Sequence, residues 1–202
     1  MKQVKKTRSF VPPKSAEVLD AGSFSVIYAH KKFPNAVVKV TGITGARDTN
    51  YLVHKLFVNN QTNPWFPKVL FTKVVKASHT EESDEFFSQM IDTNTEDLLN
   101  QPYLLIAAIE KLKSAPRETV WSKFKEIGID FDDLQYVLEE GDNKSISKLI
   151  KSCTDVNVIQ VLLILKKLFK NKNHNPDFHE GNFMLRGDQL VLIDPAFPEG
   201  RN

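Results

Sequence analysis

The apolar residues of this 202-residue chain change their period about halfway along, and that change limits the folds open to it. In the first half they come in short β-branched and aromatic runs: SFSVIYAH (23–30), AVVKV (36–40), KVLFTKVVK (68–76) and PYLLIAAIE (102–110). Runs of that length and composition predict strands. KKFPN lies between the first two, and its Pro34-Asn35 predicts the turn of a hairpin. One helix is expected among the strands, over 47–60, where Leu52, Leu56 and Phe57 share a face behind Asp48 or Thr49 as N-cap. In the second half the period becomes helical. Residues 121–152 predict two or more helices broken near Gly128 and Gly141. Residues 155–171 place Val158, Leu162, Leu165 and Phe169 on one core-facing stripe, with Thr154 or Asp155 as cap. A polar loop, a short strand at FML (183–185), the turn RGDQ and the run LVLID (190–194) follow. Strands with one helix, then mostly helices, predict an α+β fold in two lobes sharing a cleft rather than two independent domains.

Three stretches stand outside that pattern. Residues 1–18 form a basic arm with Lys2, Lys5, Lys6 and Arg8, broken by Pro12-Pro13 and lacking the apolar run of a signal peptide. The stretch 77–100 carries seven acids from Glu81 to Asp97 and is expected to be a solvated, mobile loop, with Thr80 and Ser83 as candidate phosphorylation sites. The segment 113–154 carries no motif. Lys and Arg total 27 against 25 Asp and Glu, a balance of +2 that argues against nucleic acid as partner. Apolar runs such as YLLIAAI (103–109) are too short for a membrane-spanning helix, which needs roughly 20 residues. The single cysteine, Cys153, excludes an internal disulfide, suits a reducing cytoplasm, and is expected in the core. His30, His54 and His79 are expected on the surface or on helices.

The chemistry-bearing residues gather near the end. PDFHEGNFML (176–185) has the spacing D-x-x-x-x-N from Asp177 to Asn182, and Asp194 follows twelve residues later at the end of LVLID. Phosphoryl transfer from ATP uses those residue types: a carboxylate beside the accepting hydroxyl, then an amide oxygen and a second carboxylate for Mg²⁺. A hairpin of FML and LVLID would present Asn182 at one end and Asp194 at the other. Upstream, Lys39 interrupts the apolar strand AVVKV, where a charge costs several kcal/mol unless it is paired. A ligand phosphate would pair it; an edge-strand lysine resisting aggregation is the simpler alternative. LDAGSFSVIY (19–28) has the form of a strand-turn-strand loop with Gly22 at its tip. A metal-hydrolase set of His174, Asp177, His179 and Glu180 is a further alternative, although no H-E-x-x-H pair exists.

In order and spacing these segments resemble the protein-kinase-like fold. LDAGSFSVIY, AVVKV, NPDFHEGN and IDPAF stand where that superfamily has its glycine-rich loop, lysine strand, catalytic loop and metal-binding D-F-G segment. AGSFSVIYAHKKFPNAVVKV and DFHEGNFML...LIDPAF look, more closely, like the early serine/threonine protein kinase of autographivirus-type bacteriophages, a family involved in host takeover. The resemblance implies a bilobal fold with a β-rich N-lobe over 19–110 and a reduced, truncated helical C-lobe over 111–202, since only eight residues follow Asp194. It implies ATP and Mg²⁺ as cofactors and host proteins as substrates in the host cytoplasm. Lys39 would hold the α- and β-phosphates, with Gly22 and Ser23 in the phosphate cradle and Ile109-Glu110 at the hinge facing adenine. Asp177 would orient or deprotonate the acceptor, His179 would contact the γ-phosphate, and Asn182 and Asp194 would bind the metal. Asn175-Pro176 and Pro195-Ala196 replace the family's His-Arg and Phe-Gly, and no glutamate follows Lys39 on the helix, Asp48 being the nearest acid. A kinase-like protein that binds and inhibits a host factor, and a small-molecule phosphotransferase suggested by the D-x-H-x-x-N form, are the alternatives.

Overall fold

The computed structural model describes residues 16–22, 25–77, 101–140, 143–170 and 174–198. The arm up to residue 15, Ser23, His79 and the acidic stretch from 78 to 100 lie outside the described residues. The fold is α+β, with a five-stranded antiparallel sheet and five helices among those described. It divides into two compact units, one of residues up to Tyr51 with Val69–Lys111, the other of Leu52–Lys68 with the chain from Leu112 onwards.

The first unit is built on strands β1 (Glu17–Gly22), β2 (Ser25–Ala29), β3 (Ala36–Ile43), β4 (Val69–Lys76) and β5 (Tyr103–Glu110), in the order β1-β2-β3-β5-β4. Alternation along the strands puts Val26, Tyr28, Val38, Val40, Val75, Leu104 and Ile106 together in one buried cluster. Lys39 has the opposite parity to Val38 and Val40, so it lies on the other face, in register with Ile27 and Ala107. Burial pushes the Tyr28 hydroxyl up to about 12. Asp48, the acid nearest Lys39 in sequence, is engaged elsewhere. Its Oδ2 accepts from the Thr44 backbone N–H and Oγ1 at 3.0 and 3.1 Å, and its Oδ1 accepts from the Asn50 N–H at 2.9 Å. It thereby caps α1 (Thr49–Asn59), as the sequence predicts.

The second unit holds most of α1 together with α2 (Arg117–Glu126), α3 (Phe131–Glu139), α4 (Asn143–Ser152) and α5 (Val156–Phe169). Asp130 caps α3 and Asp155 caps α5, each carboxylate accepting from two backbone N–H groups. Gly128 has φ 81, and a Cβ on it would fall 2.7 Å from the Ser152 carbonyl oxygen, so the turn between α2 and α3 requires glycine. Val158, Leu162 and Leu165 are buried as the stripe requires, whereas Phe169 is only half-buried. Cys153, after α4, is also buried, and burial raises its thiol above the ordinary value. Phe124, Phe131, Phe178 and Phe183 pack ring against ring at centroid distances of 5.1 to 6.2 Å, and Trp65 joins at 5.4 Å from Phe124.

Short strands complete the unit: β6 (Lys113–Ser114), β7 (His174–Pro176), β8 (Phe183–Arg186), β9 (Gln189–Leu192) and β10 (Ala196–Pro198). β8 and β9 form the expected hairpin, closed by Gly187 at φ 61. β9 ends at Leu192, so Asp194 lies just beyond the strand rather than at its end. The pairing of β10 with β7 has no counterpart in the sequence reading. Among the described residues no helix is long and apolar enough to cross a membrane.

Candidate functional site

PDFHEGN is positioned by what lies on either side of its polar groups. Phe178 is fully buried in the aromatic cluster, pinning the loop between Asp177 and His179. The loop then makes a single 3₁₀ turn over Glu180–Asn182, with the Asn182 N–H bonded to the His179 carbonyl at 3.0 Å. Upstream, β7 is held by β10, and the Asp177 N–H donates to the Pro195 carbonyl at 2.9 Å. Downstream, the Ile193 N–H donates to the Asn182 carbonyl at 2.9 Å. Asp194 lies between these two bonds in sequence, so the segment that carries it is tied to Asp177 on one side and to Asn182 on the other.

The Asn182 side chain makes a third tie. Its Nδ2 donates to the Asp177 carbonyl oxygen at 2.7 Å. A carbonyl only accepts, so the amide nitrogen must face it, which fixes the flip and leaves Oδ1 as the group's remaining acceptor. Asn182 is buried, Asp177 and Asp194 are half-buried, and His179 is exposed. Asp177, His179, Asn182 and the Asp194 segment are thus brought together within the second unit.

Oδ1 of Asn182 and the carboxylate of Asp194 are hard oxygen donors of the kind Mg²⁺ takes when substrate phosphates and water fill its other positions. Among the described residues no three His, Cys, Asp or Glu side chains group as a metal cage. The His174, Asp177, His179 and Glu180 hydrolase set therefore has no support, and His174 is buried in β7.

The residues assigned to nucleotide lie in the first unit. Lys39 is half-buried on a sheet face that also carries Ile27, Val37 and Ile109, by strand parity and register. Ile109 pairs with Val37, and Glu110 with Ala36, at the end of β5. Gly22 ends β1 opposite Ser25, and Ser23 lies outside the described residues.

Two arginines that support the site escape a reading of motifs. Arg117, at the start of α2, has its Nε 3.2 Å from Glu180 Oε1, and its guanidinium stacks 4.5 Å from the Trp121 ring centroid. Arg186 closes β8 and donates from its two terminal nitrogens to the carbonyls of Pro64 and Phe66, both at 2.9 Å. With the Leu192 N–H on the Trp65 carbonyl at 2.8 Å, this fastens the β8–β9 hairpin to the NPWFP turn. Neither arginine has a motif-like spacing to its partners; only Phe178, apolar within a polar loop, carries a signal readable in advance. No protein-family model matches the chain, and a search of the curated proteins finds no match either.

Proposed function

We propose that this chain is an ATP- and Mg²⁺-dependent phosphotransferase of the serine/threonine protein-kinase type, with host proteins as acceptors, as the resemblance to the phage kinases implies. One observation carries the proposal: three hydrogen bonds gather Asp177, Asn182 and the Asp194 segment into one locus, Asp177 N–H to Pro195, Ile193 N–H to Asn182, and Asn182 Nδ2 to Asp177. In the step proposed, the acceptor hydroxyl oxygen forms a bond to the γ-phosphorus while the bond from that phosphorus to the β–γ bridging oxygen breaks. ADP leaves, and the hydroxyl proton passes to Asp177. Mg²⁺, held by Asn182 Oδ1 and Asp194, would neutralise charge on the phosphates. Lys39 is assigned to the α- and β-phosphates, with adenine on the apolar face of Ile27, Val37 and Ile109.

The deciding experiment incubates wild type and Asp177→Ala with labelled ATP, Mg²⁺ and host lysate. Asp177-dependent labelling of protein, on the chain itself or in the lysate, is expected. Labelling that survives the substitution, or none at all, defeats the protein-kinase assignment. If MgATP also fails to raise the thermal midpoint, the fold serves as a binding scaffold for a host factor instead.

A further inference from the structure

His179 has both ring nitrogens within reach of defined partners, and one of them fixes the state of the ring. Nδ1 accepts from the Gly181 backbone N–H at 3.1 Å. A backbone amide can only donate, so Nδ1 is unprotonated and the neutral imidazole carries its hydrogen on Nε2. Nε2 lies 3.4 Å from Asp177 Oδ1. The ring also rests against Gly181: a Cβ there would fall 2.8 Å from Cε1 and 2.9 Å from Nδ1, closer than side-chain carbons approach one another. Gly181 therefore does two things at once, since a side chain there would push the ring aside. It supplies the N–H that selects the tautomer and leaves the space the ring occupies.

We propose that His179 is a positioning residue for Asp177, its Nε2–H tautomer set by Gly181 so that the N–H faces Oδ1 at 3.4 Å and leaves Oδ2 to meet the acceptor hydroxyl. The inference rests on the phosphotransferase assignment for its purpose, and it replaces the γ-phosphate contact that the resemblance gives to His179. A carboxylate partner that aims the base acts on turnover, because a misplacement of about 1 Å at the reacting groups costs on the order of 100-fold in rate. A contact to the γ-phosphate alone would also act on turnover, but it would leave the Asp177 carboxyl indifferent to His179.

Two measurements on the full-length chain test it. Two-bond hydrogen–nitrogen correlations of ¹⁵N-labelled protein distinguish the imidazole tautomers. His179 should show the Nε2–H form in wild type and the mixture of a free imidazole in Gly181→Ala. The Asp177 carboxyl ¹³C resonance should move in His179→Ala and return in His179→Gln, whose amide N–H extends to the place of Nε2. In the transfer assay His179→Ala should lower kcat by up to about 100-fold with KM for ATP nearly unchanged. Gln should restore most of the loss, and Asn, whose amide reaches only the place of Nδ1, should not. An Nδ1–H tautomer in wild type, an Asp177 resonance indifferent to His179, or a rise in KM with kcat preserved would each overturn the proposal. If wild type transfers no phosphate, the phosphotransferase assignment fails, while the resonances still decide whether His179 holds Asp177.

Discussion

Asn182 joins the fold of the loop to its proposed chemistry through opposite ends of one amide, and two substitutions separate the ends. Asn182→Ala removes both: the Nδ2 bond to the Asp177 carbonyl at 2.7 Å and the Oδ1 available to a cation. Asn182 is only 9% exposed while Asp177 is half-buried, so the abandoned carbonyl regains water only in part. A lost bond of this kind costs about 1–3 kcal/mol, which for a chain of this size lowers the thermal midpoint by roughly 2–12 °C. Asn182→Asp keeps an oxygen for Mg²⁺ but sets a carboxylate oxygen against the Asp177 carbonyl, so its stability should fall at least as far. The two variants should then exchange rank in a second assay. Saturating MgATP, at about 100 times its Kd, should stabilise wild type by about 2.7 kcal/mol. Asn182→Asp should keep the dependence of that gain on Mg²⁺, and Asn182→Ala should lose it. Differential scanning fluorimetry with and without Mg²⁺ and ATP reads both quantities in one experiment. If the two variants lose the Mg²⁺ dependence equally, or if Asn182→Ala keeps it, Oδ1 is not a metal ligand. If Asn182→Ala melts with wild type, the bond to Asp177 does not hold the loop.

Arg186→Ala, which strips two charge-assisted bonds from the Pro64 and Phe66 carbonyls, should cost about 2–4 kcal/mol in chemical denaturation. Arg186→Lys should recover less than half of that, because an ammonium does not span two carbonyls as a guanidinium does, and a midpoint unchanged by Arg186→Ala would dismiss the clasp. Phe178→Ala should cost about 3–5 kcal/mol and depress transfer even well below its melting point, since the ring anchors Asp177 and His179 from between. Full activity in the cold would mean that the ring does not position them. Tyr28 titrates at about 12 in the fold against 10.0 when unperturbed. Between those values the unfolded chain has lost a proton that the folded chain keeps. The stability Tyr28 contributes is therefore complete below pH 10 and is lost as pH rises to 12, by roughly 2–3 kcal/mol. Tyr28→Phe should flatten that part of the alkaline stability curve, and an unaltered slope would assign the effect to other groups.

What could be read from the chain alone was whatever local patterns decide. Short β-branched and aromatic runs gave β4 and β5 to within a residue, while β3 runs on three residues past AVVKV to Ile43, and the carboxylates of Asp48 and Asp155 cap the helices they precede. The β8–β9 hairpin was legible for the same reason, since Gly187 supplies the turn between two apolar runs. The β7–β10 pairing was not. HNP and AFP are too short, and too interrupted by proline, to look like strands, and they pair next to the bond from the Asp177 N–H to the Pro195 carbonyl. Within the loop, spacing located Asp177 and Asn182. The bond from the Asn182 amide to the Asp177 carbonyl depends on a single 3₁₀ turn whose only local mark is EGN.

The resemblance implies one lobe over 19–110 that includes residues 52–68, whereas in the structure these residues belong to the compact unit of the later helices. Phe57 and Phe66 pack with ring centroids 5.6 Å apart, and Trp65 meets Phe124 of α2. Asn63 is buried, donating to the Asn157 carbonyl of α5 and accepting from the Trp65 N–H. Large aromatic rings must leave water wherever a core will take them, and the aromatic cluster of the second unit takes Trp65 regardless of its neighbours in sequence. The site inherits its support from that choice. The backbone carbonyls of residues 64 to 66 are the ones Arg186 and Leu192 bind, so the turn buried for its rings becomes the rest on which the β8–β9 hairpin sits. That hairpin begins beside Asn182 and ends two residues before Asp194. A change in NPWFP, more than a hundred residues from either, should therefore disturb both proposed metal ligands before it disturbs the five-stranded sheet.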